Sequence, residues 1–295
     1  MREWYAASCP GLSMMRKMKN FTARIRSSFS FLRTLAATAW GLGMLAVAAP
    51  ALAQVLQIPF EREGNPAQPT STFLWKSATA KAILVFIPGG EGRLALAPER
   101  KGLGGFYGEV LKPLSDAKLT RGEMHVVVFD SPVDLPVGTT YPESRRDPEH
   151  LQRIDSVVRH YVREFGLPVW LMGHSNGAAS VTEFYKLLQG TKREKEIQGM
   201  VYSSARNGAD FTANTQLPVL FLAHERDGCA RSRPANSLAV YDRLRKTNTK
   251  LTRYVVLKGG EAQPQNACAS GFHMFYGAGA EAYQAIEEFV QAVTR

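Results

Sequence analysis

The run Val169-Trp170-Leu171-Met172-Gly173-His174-Ser175-Asn176-Gly177-Ala178-Ala179 constrains the fold more than any other stretch of the chain. Four apolar residues of strand type lead into two glycines that bracket a serine, and small residues suited to a closely packed helix follow. A strand that becomes a helix within five residues belongs to a βα unit. Repeated βα units build a parallel sheet covered by helices on both faces.

The rest of the chain from Gln54 onward carries the same alternation. Short β-branched and aromatic runs predict strands at Val55 to Glu61, Thr70 to Trp75, Ala82 to Ile87, His125 to Phe129, Val169 to Met172, Gly199 to Ser203, Val219 to Ala223 and Leu251 to Val256. Asp147 followed by Pro148 is a helix start, an N-cap carboxylate with proline at the first helical position. Leu151, Ile154, Val157, Val158, Tyr161, Val162 and Phe165 form the apolar stripe of that helix. Further helices are expected from Ser175 to near Gly190, from about Pro234 to Thr247, and near Glu281 to Val293. Eight strands and four helices fit one α/β domain within the 295 residues, with no internal repeat or low-complexity linker.

The strand, the G-x-S-x-G turn, the helix behind it and its place at the fifth of eight strands resemble the nucleophile elbow of the α/β-hydrolase family. The resemblance spans nearly all of residues 55 to 293. It implies an α/β-hydrolase fold, with a mostly parallel eight-stranded sheet, helices on both faces and no large cap domain. Only about 15 residues separate Ser203 from Val219, where such caps commonly enter. In an elbow of this kind the serine takes an unusual backbone conformation, and Gly173 and Gly177 stand where a side chain has no room.

The same resemblance implies a triad in the order serine, acid, histidine, with Ser175 as nucleophile and His273, between Gly271-Phe272 and Met274-Phe275, as general base. Asp227, in the run His224-Glu225-Arg226-Asp227-Gly228 after the seventh strand, is the preferred acid; Glu225 and Glu261 are the alternatives. His125, His150, His160 and His174 precede or adjoin the serine and read as structural or solvent-facing. The oxyanion hole is expected from the Asn176 N–H and a second N–H, of Gly90 or Glu91, in Pro88-Gly89-Gly90-Glu91-Gly92 after the third strand. That loop lacks the histidine that often opens it in related esterases. Leu94, Leu96, Phe106 and Tyr107 are available for an acyl pocket, with Phe272, Met274, Phe275 and Tyr276 opposite.

Cys229 and Cys268 flank the acid and the base, and in an oxidising compartment they should pair. Their bridge would tie the acid loop to the histidine loop. Two cysteines without a spaced histidine pair fall short of a metal ligand set, and the reaction implied needs no cofactor.

Export is read from the amino terminus. Arg16, Lys17, Lys19, Arg24, Arg26 and Arg33 precede an apolar run from Leu35 to Ala49, and Ala51-Leu52-Ala53 follows. This order predicts a signal peptide over residues 1–53 and a catalytic domain over 54–295, periplasmic or extracellular after cleavage. The run is shorter than the roughly 20 apolar residues of a spanning helix, so no stable membrane anchor is expected. A leader of 53 residues exceeds the usual roughly 15–30, so Met14, Met15 and Met18 are alternative starts that would shorten it, and Cys9 would then never be made. Residues 1–53 hold seven Lys and Arg against one Glu, so the net charge of +10 falls to about +4 in the mature chain. A surplus that small gives no reason to expect nucleic acid as a partner. The expected partner is a small acyl substrate, and a carboxylic ester is the leading expectation. The alternatives are a serine peptidase or acyl-peptidase of the same fold, and a non-catalytic binding protein built on it.

Overall fold

The computed structural model describes residues 53–132, 143–263 and 266–295. The expected leader up to residue 52, with Cys9, Met14, Met15 and Met18, lies outside the described residues.

Eight strands form one sheet: β1 (Ala53–Arg62), β2 (Asn65–Trp75), β3 (Ala82–Ile87), β4 (Met124–Asp130), β5 (Val169–His174), β6 (Ile197–Ser203), β7 (Val219–His224) and β8 (Thr252–Leu257). Their spatial order is β1-β2-β4-β3-β5-β6-β7-β8. The β1–β2 and β2–β4 pairs are antiparallel, and every pair from β4 through β8 is parallel. Among the described residues four α-helices complete the domain: α1 (Pro148–Phe165), α2 (Asn176–Leu188), α3 (Pro234–Thr247) and α4 (Gly279–Thr294). The stretch between β6 and β7 holds no helix or strand, so no cap enters there. No helix among the described residues is long and apolar enough to cross a membrane.

Strand alternation sorts the side chains into two cores. Ile83, Val85 and Ile87 of β3 and Val169 and Leu171 of β5 pack with buried residues of α1, α2 and α3. Leu84, Phe86, Trp170 and Met172 face the other way, toward α4. These strands are apolar throughout because both faces are covered. The Asp147 side chain accepts from the N–H groups of Glu149 and His150, and Gly166, left-handed at φ +64°, ends α1. Leu151, Ile154, Val157, Val158 and Tyr161 are buried from that helix, each aliphatic one contributing roughly 1.5–3 kcal/mol of transfer free energy.

Two regions depart from the sequence expectation. The second strand begins at Asn65, five residues early, because Pro66 and Pro69 lie in the outer part of the β1–β2 hairpin. Pairing with β4 starts only at Ser71, so the N–H that each proline lacks has no ladder partner to lose there. In the region 93–118, which the strand and helix signals left unassigned, Tyr107–Leu111 forms a π-helical turn that runs into a 3-10 turn at Lys112–Ser115. Leu96 and Phe106 are buried there, in the core that faces α4.

The chain runs from β3 to β4 on one side and then crosses back to β5 on the other side of β3. Crevices of open α/β sheets form at such a reversal, beyond the carboxyl ends of the strands. Ile87 at the end of β3 pairs with Gly173 near the end of β5. The loop 88–92 and the turn at Ser175 therefore emerge side by side.

Candidate active site

Ser175 occupies φ +54° and ψ −119°, a conformation that strains a residue with a side chain by about 1–3 kcal/mol. Its surroundings force it. The Ser175 N–H donates to Ser203 O at 2.9 Å, and Ser175 O accepts from the N–H groups of Ala178 and Arg206, each at 3.1 Å. A Cβ on Gly173 would lie 2.3 Å from Gly177 O, and one on Gly177 would lie 2.0 Å from Ile87 O. Neither position can carry a side chain, as the sequence pattern implied. Asn176 opens α2, so its N–H has no partner within the helix.

On the β3 side, a Cβ on Gly89 would meet the Cβ of Ser175 at 2.9 Å, so the glycine lets this loop touch the serine. Gly90 has φ +55°. Neither Gly90 nor Glu91 donates its backbone N–H to another described residue. The Asn176 amide nitrogen donates to Gly90 O at 3.0 Å, and its oxygen accepts from Arg206 Nη1 at 3.0 Å.

On the far side, His273 sits in a 3-10 turn, Gly271–Met274, that Phe275 closes at φ +55°. His273 Nδ1 lies 2.8 Å from Asp227 Oδ2, and both side chains are almost wholly buried. The other Asp227 oxygen accepts from the Cys229 N–H at 2.9 Å. A carboxylate facing Nδ1 holds the ring proton on that nitrogen, which leaves Nε2 as the acceptor. That Nε2 is buried with no hydrogen-bond partner among the described residues. The His273 ring is 5.0 Å from that of His174, the residue before the serine.

Two devices hold the histidine loop. Cys229 and Cys268 are joined in a disulfide, as expected, so the Asp227 and His273 loops are covalently linked. Phe272, next to the histidine, stacks on His224 at 4.6 Å, and the Arg226 guanidinium lies 4.1 Å from the Phe272 ring. His224 is itself fixed, with Nε2 donating to Gly259 O at 2.6 Å and Nδ1 accepting from the Arg226 N–H at 3.0 Å.

Of the residues singled out in the sequence, Ser175, Asn176, Gly90 and Glu91 lie at one end of the sheet, and Asp227 pairs with His273. Glu225 instead turns outward to Arg226 at 3.9 Å, and Glu261 is exposed. His174 is structural: its Nδ1 pairs with Ser203 Oγ at 3.0 Å and its ring packs on Phe106 and Phe275. Burial first, and His273 second, hold its pKa well below the ordinary histidine range. Phe275 lies in the core, Met274 packs against it, and Tyr276 is exposed. Sequence reading missed Arg145, buried beneath the 88–92 loop, because in Ser144-Arg145-Arg146-Asp147 it has the look of surface charge ahead of a helix. Among the described residues no group of three or more His, Cys, Asp or Glu could hold a metal ion.

No protein-family model matches this chain, and no curated protein matches it. Solved structures do. An α/β serine hydrolase without lid from Xanthomonas campestris is 17% identical, with 83% of this chain and 96% of that one covered and a TM-score of 0.53. An esterase from Pyrococcus furiosus is 12% identical over 82% of this chain and 92% of its own, with a TM-score of 0.54. A protein of unknown function from Agrobacterium tumefaciens, described as a putative α/β hydrolase, is 15% identical over 80% and 95%, also at 0.54. At these identities the likeness establishes the fold.

Proposed function

We propose that this chain, which has the α/β-hydrolase fold without a lid, is a serine hydrolase that cleaves carboxylic esters through an acyl-enzyme on Ser175. The observation that carries the reading is the buried 2.8 Å pair of His273 Nδ1 with Asp227 Oδ2, with the His273 ring 5.0 Å from that of His174, the residue before a serine held at positive φ. An imidazole whose Nδ1 proton is fixed on a carboxylate presents a basic Nε2.

In this reading His273 Nε2 takes the Ser175 proton as Oγ attacks the acyl carbon, and Asp227 stabilises the imidazolium that forms. The N–H groups of Asn176 and of Gly90 or Glu91 receive the oxyanion; their lack of acceptors among described residues supports that role. The imidazolium then protonates the leaving alkoxide, and water, deprotonated by the same nitrogen, releases the acid. The chain's own groups supply every proton transfer. The basic leader and the disulfide support export to an oxidising compartment, periplasmic or extracellular.

The test is hydrolysis of short p-nitrophenyl esters by the mature protein beside its Ser175→Ala variant. The reading expects turnover that disappears with the hydroxyl; equal rates for both proteins would refute it.

A further inference from the structure

Arg145 is 2% exposed, and its guanidinium lies against the back of the 88–92 loop. Its Nη2 is 2.7 Å from Gly90 O, 3.1 Å from Pro88 O and 3.2 Å from Gly89 O. Three consecutive carbonyls thus converge on one cationic nitrogen, although neighbouring carbonyls in an extended segment point in alternating directions. Gly92, at φ +74°, makes room for the guanidinium: a Cβ there would come within 2.8 Å of both terminal nitrogens. The Gly92 N–H donates back to Gly89 O at 2.9 Å, which closes the turn.

Peptide planarity gives this convergence a consequence. In a trans peptide the carbonyl of one residue and the N–H of the next point to opposite sides. Drawing the Gly89 and Gly90 carbonyls toward Arg145 therefore turns the N–H groups of Gly90 and Glu91 away from it. These are the N–H groups that donate to no described residue. Asn176 Nδ2 binds Gly90 O as well, so the residue after the serine shares the same anchor point.

We infer that Arg145 is a positioning residue that sets the orientation of the oxyanion-binding N–H groups by gathering the carbonyls of Pro88, Gly89 and Gly90. This inference rests on the serine hydrolase reading for its catalytic consequence, while the holding of the loop stands apart from it. A planar guanidinium meets several acceptors in a fixed geometry, which a lysine ammonium on a flexible stem does not reproduce. Arg145→Lys thus keeps the charge and loses the geometry. Gly92→Ala crowds the same guanidinium, together with Ser131 Oγ and at a positive φ that strains alanine, so Arg145→Lys carries the decision and Gly92→Ala accompanies it.

The test compares Arg145→Lys, Gly92→Ala and the neighbouring Arg146→Lys, whose residue pairs with Glu183 on the surface. Turnover of a short p-nitrophenyl ester is measured together with backbone hydrogen exchange of the 86–93 segment, in protein shown by cooperative melting to be folded. For Arg145→Lys and Gly92→Ala the expected result is a fall in kcat of about tenfold or more, with KM within about twofold, because the N–H groups act mainly on the transition state. Exchange in 86–93 should rise in both and stay unchanged in Arg146→Lys. Wild-type kcat in a folded Arg145→Lys protein would overturn the catalytic role, and unchanged exchange would overturn the inference altogether. If the unaltered protein has no turnover that depends on Ser175, the hydrolase reading fails, and the exchange measurement alone decides whether Arg145 holds the loop.

Discussion

The two sides of Ser175 are built by different means. The Asp227 and His273 loops are joined by the Cys229–Cys268 disulfide, and Phe272 packs against both His224 and Arg226. The 88–92 loop has no covalent tie; glycines shape it, and Arg145 and Asn176 hold it by its carbonyls. The difference follows from topology. Loop 88–92 leaves β3 directly beside β5, so close approach suffices. Asp227 and His273 come from segments far apart in the chain and outside the sheet's centre, where a covalent bond offsets the entropy of bringing long loops together.

The largest expected effect tests the acid and base side. Asp227→Asn removes the carboxylate that fixes the His273 tautomer, and kcat should fall by about 10³- to 10⁴-fold with the protein still folded. Glu225→Gln should change kcat by less than about twofold. A reversal of these two outcomes in ester assays would move the acid to Glu225 and break the comparison on this side.

The disulfide comes next. The Cys229→Ser, Cys268→Ser double variant should lose about 4 kcal/mol of unfolding free energy in the chain-entropy account of a loop closed over 39 residues, read by chemical denaturation. Hydrogen exchange should rise in residues 225–233 and 266–275 and stay unchanged in 86–93. A rise in all three segments would mean that the bridge also supports the oxyanion side.

Acid pH gives the smallest effect and samples both sides. His150, beneath the Arg145 side, has a pKa well below the ordinary value, from burial first and then the charges of Arg145 and Arg153; His174, beneath the His273 side, is depressed as well. Both stay neutral in the folded chain, whereas in the unfolded chain they take up protons below about pH 6.5. Stability contributed by keeping them neutral is present above that pH and is lost as pH falls from about 6.5 toward the folded-state values. The slope should be up to about 1.4 kcal/mol per pH unit for each histidine. In denaturation between pH 7 and 5, His150→Gln should remove about one proton's share of the slope, and an unchanged slope would contradict a buried neutral His150.

Much of this was legible in the residues because the signals were local. The bounds of β3 and α3 follow from apolar runs and from Pro234, and the Asp147 cap is a two-residue pattern. Gly173 and Gly177 mark the elbow because only absent side chains permit its contacts. Illegible features depend on distant partners. Pro66 and Pro69 read as loop until the unpaired side of the hairpin is known. Phe106 resembles a pocket residue until its rings of contact, Phe86, His174 and Phe275, are assembled. Arg145 meets carbonyls 55 to 57 residues away, and no local pattern announces that.

The most direct measurement of the central claim is reaction of the folded mature protein with a fluorophosphonate, followed by mass spectrometry of its peptides. The account predicts a single adduct on Ser175, absent in Ser175→Ala and formed far more slowly in His273→Ala. An adduct that survives Ser175→Ala, or a folded protein that acquires none, would contradict it.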